Sequence, residues 1–302
     1  MTKEMIQLSN LTKDYGQERG VFNLNLSLKP GEVFGIVGEN GAGKTTTLRM
    51  LMGFIKPSHG YARIQDNDVW HNAAIVKKMV GYVPGEIAFP DTKTGETFIK
   101  MQLELLKSSQ DDFVNELIDQ FKIDLTADLK RMSKGMKQKV ALVCAFMKRP
   151  AVLLLDEPTT GLDPVMRDAF IELILRLKAM GTTIIMSSHM FNELEPTCDR
   201  IGFLHHGKLI EILDRQKMAL LHKYQRVTVR TRTAADLKKL QTSELPIEDL
   251  DRSRNEVAFV IEQDQTNELL GMLSLIELDD LRIEQQGLDR YFEKRMQTAE
   301  SL

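Results

Sequence analysis

One octapeptide constrains this chain more than any other feature: Gly38-Glu39-Asn40-Gly41-Ala42-Gly43-Lys44-Thr45, with Thr46 directly after it. It fits the spacing G-x-x-x-x-G-K-[ST]. A short, mostly apolar, β-rich run at 33–37 leads into it, and a helical pattern through Met52 follows. Strand, glycine-rich loop and helix make the first half of a βα unit. The glycines let backbone N–H groups curl around phosphates without Cβ clashes. The helix aims the positive end of its dipole at the same place. Lys44 is placed to reach β- and γ-phosphates, and the Thr45 hydroxyl is a ligand for Mg²⁺. A glycine-rich turn of purely structural use would not need the lysine, the hydroxyl and the flanking elements together.

The rest of the chain extends that unit. Strand-like runs at 5–8 and 22–28 precede it, with Pro30-Gly31 marking a turn before the 33–37 strand. Residues 61–83 read as further short strands and turns. From 93 to about 121 the period becomes helical, with Phe98, Met101, Leu105, Phe113, Leu117 and Ile118 at three- and four-residue steps. A second helical run covers 133–148. Residues 152–155 and 182–187 read as buried parallel strands, 168–178 as a helix, and 191–195 as the start of a short one. Strands alternating with helices predict an α/β fold with a mostly parallel sheet.

After about residue 214 the character changes. A helical connector at 216–222 leads to strand (226–231), helix (234–241), strand (256–262), helix (266–275), strand (281–285) and helix (288–296). This predicts a first domain at 1–220 and a small α+β domain at 221–302, ferredoxin-like in outline. Strand 257–261 is expected to bury one face, and Phe292 to be core.

At 302 residues the chain can bury a core without staples. Its composition, 42% hydrophobic and 27% charged, is that of a globular protein, and a net charge of −3 gives no argument for a nucleic-acid partner. Cys144 and Cys198 lack the spacing of a metal site and read as reduced thiols. The N-terminus shows no apolar signal segment, and no run of about 18 apolar residues could span a bilayer. A role at a membrane would therefore require docking onto something else.

The second chemical element is Val152-Leu153-Leu154-Leu155-Asp156-Glu157. Four apolar residues deliver two carboxylates to the C-terminal end of a buried strand, where open α/β sheets bind ligands. Asp156 is placed to hold Mg²⁺, and Glu157 to orient or polarise an attacking water.

With these two elements on one chain, residues 1–215 resemble ABC-type ATPase subunits. Ser133-Lys134-Gly135-Met136-Lys137-Gln138-Lys139 resembles the signature segment, and Pro158-Thr159-Thr160-Gly161-Leu162-Asp163 the D-loop. His189 resembles the switch histidine, and Tyr15 the aromatic that stacks on adenine. The resemblance implies a P-loop core with an antiparallel β subdomain and a helical subdomain. It implies ATP and Mg²⁺ as ligands, and a second ATPase subunit, identical or related, packed head to tail. In that dimer Ser133, Lys134, Gly135 and Met136 face the partner's γ-phosphate, and Asp163 links the two sites. It also implies an integral-membrane permease, which places the subunit in the cytoplasm on the inner face of the membrane.

Two departures from the family pattern stand out. Lys134 and Met136 occupy positions where glycine and glutamine are usual, a form that resembles a subset found in bacterial exporters with separate permeases. After Gly81-Tyr82-Val83-Pro84, where the family's Q-loop glutamine is expected, come Gly85 and Glu86. Glu86 either substitutes as an oxygen ligand on the Mg²⁺ side or leaves that contact absent. The competing functions are weaker. Ribosome-bound and DNA-repair ATPases of this class carry two modules or a long coiled coil, and a P-loop GTPase would carry an NKxD guanine motif; none of these is present.

Overall fold

Alternating burial shapes the first strands of this computed structural model, which describes residues 3–90, 93–107, 110–243, 245–285 and 287–300. In β1 (Ile6–Asp14) and β2 (Gly20–Leu28), Leu24, Leu26 and Leu28 are buried, while Asn23, Asn25 and Ser27 between them are more open. The two pair antiparallel, Ile6 opposite Leu28. β3 (Val33–Val37) is buried at all five positions, and α1 (Lys44–Leu51) follows the glycine-rich loop. β4 (His59–Ile64) and β5 (Asn67–Asp68) then complete a four-stranded antiparallel sheet of order β2-β1-β4-β5.

The segment expected to hold only strands and turns contains a helix, α2 (Ala73–Met79), before β6 (Val80–Val83). Val76 is the one fully buried residue of α2, so an apolar period is hardly written into it. The helical run from 93 to 121 resolves into α3 (Gly95–Leu105) and α4 (Asp112–Gln120). Each has its own N-cap: Thr94 accepts from the Thr97 N–H and Asp111 from the Val114 N–H. α5 (Lys134–Phe146) starts at Ser133, and β7 (Val152–Asp156) is buried throughout. α6 (Pro164–Ala179) begins four residues earlier than 168, because Asp163 caps it and Pro164 fits its first turn. β8 (Thr183–Ser187) and α7 (Phe191–Thr197) follow. β9 (Arg200–His205) and β10 (Lys208–Asp214) are strands that the periodicity did not reveal.

The larger sheet runs β10-β9-β3-β8-β7-β6, with parallel pairing from β9 through β6. β8 therefore lies between the strand that leads into the glycine-rich loop and the strand that ends in the carboxylates. α1 packs between the two sheets: Leu48 and Leu51 share one apolar cluster with Leu26, Leu28, Leu154 and Ile185. Among the described residues no helix is long and apolar enough to cross a membrane. Neither Cys144 nor Cys198 is in a disulfide; Cys198 is buried, and burial pushes the Cys144 thiol up to about 12.

The chain divides into two compact units at 213/214. α8 (Arg215–Leu221) thus goes with the second unit, to which its exit is tied. Gln263 donates from its backbone N–H to the Lys223 carbonyl at 3.0 Å and from its side chain to the His222 carbonyl at 3.2 Å. The unit continues with β11 (Tyr224–Thr231), α9 (Ala234–Gln241), β12 (Ile247–Asp251), β13 (Glu256–Glu262), α10 (Thr266–Leu273), β14 (Leu278–Gln285) and α11 (Leu288–Glu300). The sheet order β12-β13-β11-β14, antiparallel throughout, is that of a ferredoxin-like βαββαβ unit. β12 is the strand missing from the sequence reading. β13 buries Val257, Ala258, Phe259 and Ile261, so both of its faces are covered rather than one. In α11 the core residues are Leu288 and Met296, while Phe292 is half-buried.

Candidate functional site

α1 begins with an unusual cap. Gly43 is its N-cap at φ +108°, and no side chain accepts from the first-turn N–H groups. The loop is pressed tightly into its surroundings. A Cβ on Gly38 would lie 2.3 Å from the Leu204 carbonyl oxygen, and one on Gly43 2.9 Å from Val21 Cγ2. Only glycine keeps this path of the backbone. Lys44 is 6% exposed, and its Nζ donates to the carbonyls of Gly38 (2.7 Å) and Glu39 (3.2 Å). Asn40, Gly41, Gly43, Lys44, Thr45 and Thr46 line a cleft of about 330 Å³, which also takes in Tyr15, Glu18, Arg19, Glu157 and His206. Gly38 and Ala42 are buried behind it. The Tyr15 ring is 55% exposed, with Lys13 Nζ 5.3 Å from its centroid. A flat, open ring at the mouth of such a cleft is available for stacking.

Both carboxylates stand at the end of β7. Asp156 is fully buried; its Oδ1 accepts from Ser187 Oγ at 2.7 Å, while its Oδ2 is buried with no protein partner. Glu157 has φ +49°, a left-handed backbone that a side-chain-bearing residue adopts only under constraint. Its N–H supplies the constraint by donating to the Ser187 carbonyl (3.1 Å) and to Ser187 Oγ (3.0 Å). That turn throws the carboxylate across to Lys44, with Oε1 3.6 Å from Nζ. Its Oε2 accepts from His189 Nδ1 at 2.9 Å and lies 3.4 Å from Thr160 Oγ1. Burial and the nearby Asp156 charge push the Tyr82 hydroxyl above its ordinary range, with Arg49 opposing them.

The start of α5 is built differently. Ser133 Oγ accepts from the Met136 N–H at 3.2 Å, a conventional N-cap. Gly135 abuts Gly161, where an added Cβ would lie 2.3 Å from the Gly161 carbonyl oxygen. One turn on, buried Gln138 donates to the Pro158 carbonyl at 2.7 Å. The helix start is thereby fastened to the segment that follows Glu157. Ser133, Lys134, Gly135 and Met136 do not line the glycine-rich cleft of their own chain. Asp163 is exposed, and its Oδ1 accepts from the Met166 N–H at 2.9 Å as the cap of α6.

The sequence profile of the ABC transporter family matches residues 21–160. The bacitracin transport ATP-binding protein BcrA of Bacillus licheniformis is 34% identical over 212 residues, 68% of this chain and 69% of its own. This chain belongs to the ATP-binding proteins of ABC transporters. The Nod factor export ATP-binding protein I of Paraburkholderia xenovorans (strain LB400) is 34% identical over 215 residues, 70% of this chain and 71% of its own. A solved ATP-binding subunit of an ABC transporter superposes with a TM-score of 0.64 at 26% identity, covering 72% of this chain and 92% of its own. The cassette is an ATPase of that family.

Within the cassette the structure brings together the P-loop, Glu157, His189 and Tyr15. Residues 133–136 are not among those lining the glycine-rich cleft. At the Q-loop, Gly85 rather than Glu86 meets the site: a Cβ on Gly85 would lie 3.0 Å from Asp156 Oδ2. Glu86 is exposed and does not line the cleft. Sequence reasoning passed over Ser187, whose hydroxyl bridges Asp156 and the Glu157 N–H. Its signal was available, as the polar last residue of an apolar strand next to β7. Arg19 and His206 also line the cleft, from loops with no motif of their own.

Proposed function

We propose that the cassette is the motor of an exporter, working as a head-to-tail dimer on a separate membrane permease. The observation that carries this reading is the Glu157 carboxylate, held between Lys44 Nζ and His189 Nδ1 at the edge of the P-loop cleft. ATP enters with its phosphates on the uncapped start of α1 and its base on Tyr15. Lys44 leaves the Gly38 and Glu39 carbonyls for the β- and γ-phosphates. Glu157 then orients and polarises the attacking water, and His189 turns its ring to the γ-phosphate.

The donor set at this site fits Mg²⁺. Thr45 offers a hydroxyl, and Asp156 Oδ2 is a buried carboxylate oxygen without a partner. Among the described residues no cluster of three His, Cys, Asp or Glu side chains is arranged for a metal. Mg²⁺ characteristically binds through one or two protein oxygens, with substrate phosphates and water completing its shell. When bound, the ion neutralises charge on the phosphates.

The segment 133–136 lies outside the cassette's own cleft, which supports the reading that it serves the γ-phosphate of a second subunit. The permease surface we favour is the apolar groove of about 290 Å³ lined by Tyr82, Ile87, Phe89, Phe98 and Cys144, with Lys77, Lys78 and Lys148 at its rim. It takes in Pro84 and Ile87, on either side of Gly85, whose added Cβ would lie 3.0 Å from Asp156 Oδ2. Docking there places the cassette on the cytoplasmic face of the membrane. Export as the direction rests on the relatives above and on the Lys134/Met136 form of the signature.

The test compares the wild type with Glu157→Gln. We expect Mg²⁺-dependent hydrolysis in the wild type, at least a 100-fold loss in the variant, and an ATP-trapped dimer of the variant by size exclusion. Wild-type turnover in Glu157→Gln would remove Glu157 from its role.

A further inference from the structure

Glu193 is a carboxylate that the mechanism above does not use, yet it is 1% exposed in the first turn of α7. A buried carboxylate is costly unless paired and hydrogen-bonded. Here it has three partners. Thr159 Oγ1 donates to Oε1, Arg167 Nε stands 3.1 Å from the same oxygen, and Ser188 Oγ donates to Oε2 at 3.0 Å. Thr159 lies two residues after Glu157, and Ser188 directly precedes His189. Both hydroxyls come from residues 3% exposed, and Ser188 Oγ also accepts from the Met190 N–H at 3.0 Å.

The groups these neighbours carry are far more open: His189 is 62% exposed and Glu157 23%. A hydrogen bond in contact with water contributes little to holding its own geometry, whereas a buried, charge-assisted one contributes much more. The 2.9 Å contact between Glu157 and His189 therefore needs support from below. Glu193 is placed to give it, since its two oxygens reach the two chain segments that carry those residues. Arg167, projecting from α6, supplies the countercharge.

We propose that Glu193 is a positioning residue for hydrolysis: a buried clamp that fixes the Glu157 carboxylate and the His189 ring relative to one another. It touches neither nucleotide nor water. This rests on the reading of Glu157 and His189 as the reacting pair.

The experiment uses the full chain with Glu193→Gln, which keeps the shape of the side chain and removes its charge. Steady-state hydrolysis is measured beside ATP affinity and the NMR signals of the histidine rings. We expect kcat to fall at least tenfold, with KM and ATP affinity within about threefold of wild type. The His189 ring resonances should move in the direction that Glu157→Gln moves them, while those of exposed His71 stay in place. Thr159→Val and Ser188→Ala, each removing one arm, should give smaller losses of the same kind. If Glu193→Gln does not fold, these two variants carry the test. Wild-type kcat in Glu193→Gln, or in both single-arm variants, overturns the proposal. So does a kcat loss with unmoved His189 resonances, which would mark Glu193 as merely structural. Wild-type turnover in Glu157→Gln would instead overturn the assignment of the reacting pair, a separate result.

Discussion

The cassette has two helix starts that the proposed mechanism turns towards phosphate, and they are built in opposite ways. α1 opens on Gly43 in a left-handed conformation with no side-chain cap, so its first N–H groups await an acceptor from outside. α5 opens on Ser133, whose hydroxyl already satisfies the Met136 N–H. At the first end no side chain takes up a first-turn N–H; at the second, one of them is already held within the chain. The contrast separates two tasks. In the proposed mechanism α1 binds nucleotide in the lone subunit, while α5, fastened to Gly161 and Pro158, meets a phosphate brought by another chain.

The comparison can be broken most severely at α1. Lys44→Ala removes the cation over the P-loop, and hydrolysis should fall on the order of 100-fold or more, with weaker ATP binding by titration calorimetry. Retained binding and turnover would mean that the uncapped helix end suffices alone. Gly135→Ala attacks the other end. Its methyl would press on the Gly161 carbonyl, which should cost about 1–3 kcal/mol of stability in denaturant titration. Placed in the Glu157→Gln background, the substitution should abolish the ATP-trapped dimer while the ATP affinity of the single subunit is kept. If affinity falls as well, the two ends are not independent. The smallest effect is expected from Met136→Gln. Restoring a polar side chain at the signature should tighten the trapped dimer by about 1 kcal/mol, read as a lower dissociation constant in ultracentrifugation.

The same contrast explains what the sequence disclosed. The P-loop was legible because its chemistry is local: glycines, lysine and hydroxyl lie within eight residues, between a buried strand and a helix. Asp156 and Glu157 were legible because four apolar residues announce a central strand. Ser187 and Glu193 were not, because their meaning is tertiary. A serine at the end of β8 matters only once β8 lies beside β7, and a glutamate in a short helix matters only once Thr159 and Ser188 meet it. α2 escaped for want of an apolar stripe, and β9 and β10 because neither shows a clean period. In the second unit the alternation of strand and helix was readable. β12 was not, since Ile247-Glu248-Asp249-Leu250-Asp251 is acidic and no residue of it is fully buried.

The lone oxygen Asp156 Oδ2 has a consequence for the life of the protein rather than for its cycle. A buried polar atom without a partner burdens the fold by about 1–3 kcal/mol, a sizeable share of the margin by which a typical domain stays folded. Mg²⁺ held there with ATP, in the proposed mechanism, would relieve that burden, and a ligand bound only by the native state stabilises the fold increasingly as its concentration rises above its Kd. The fuel is then also the last component of the structure. On the proposed binding mode a newly made subunit would be most protease-sensitive before its first nucleotide, and limited proteolysis with and without MgATP reads that difference directly.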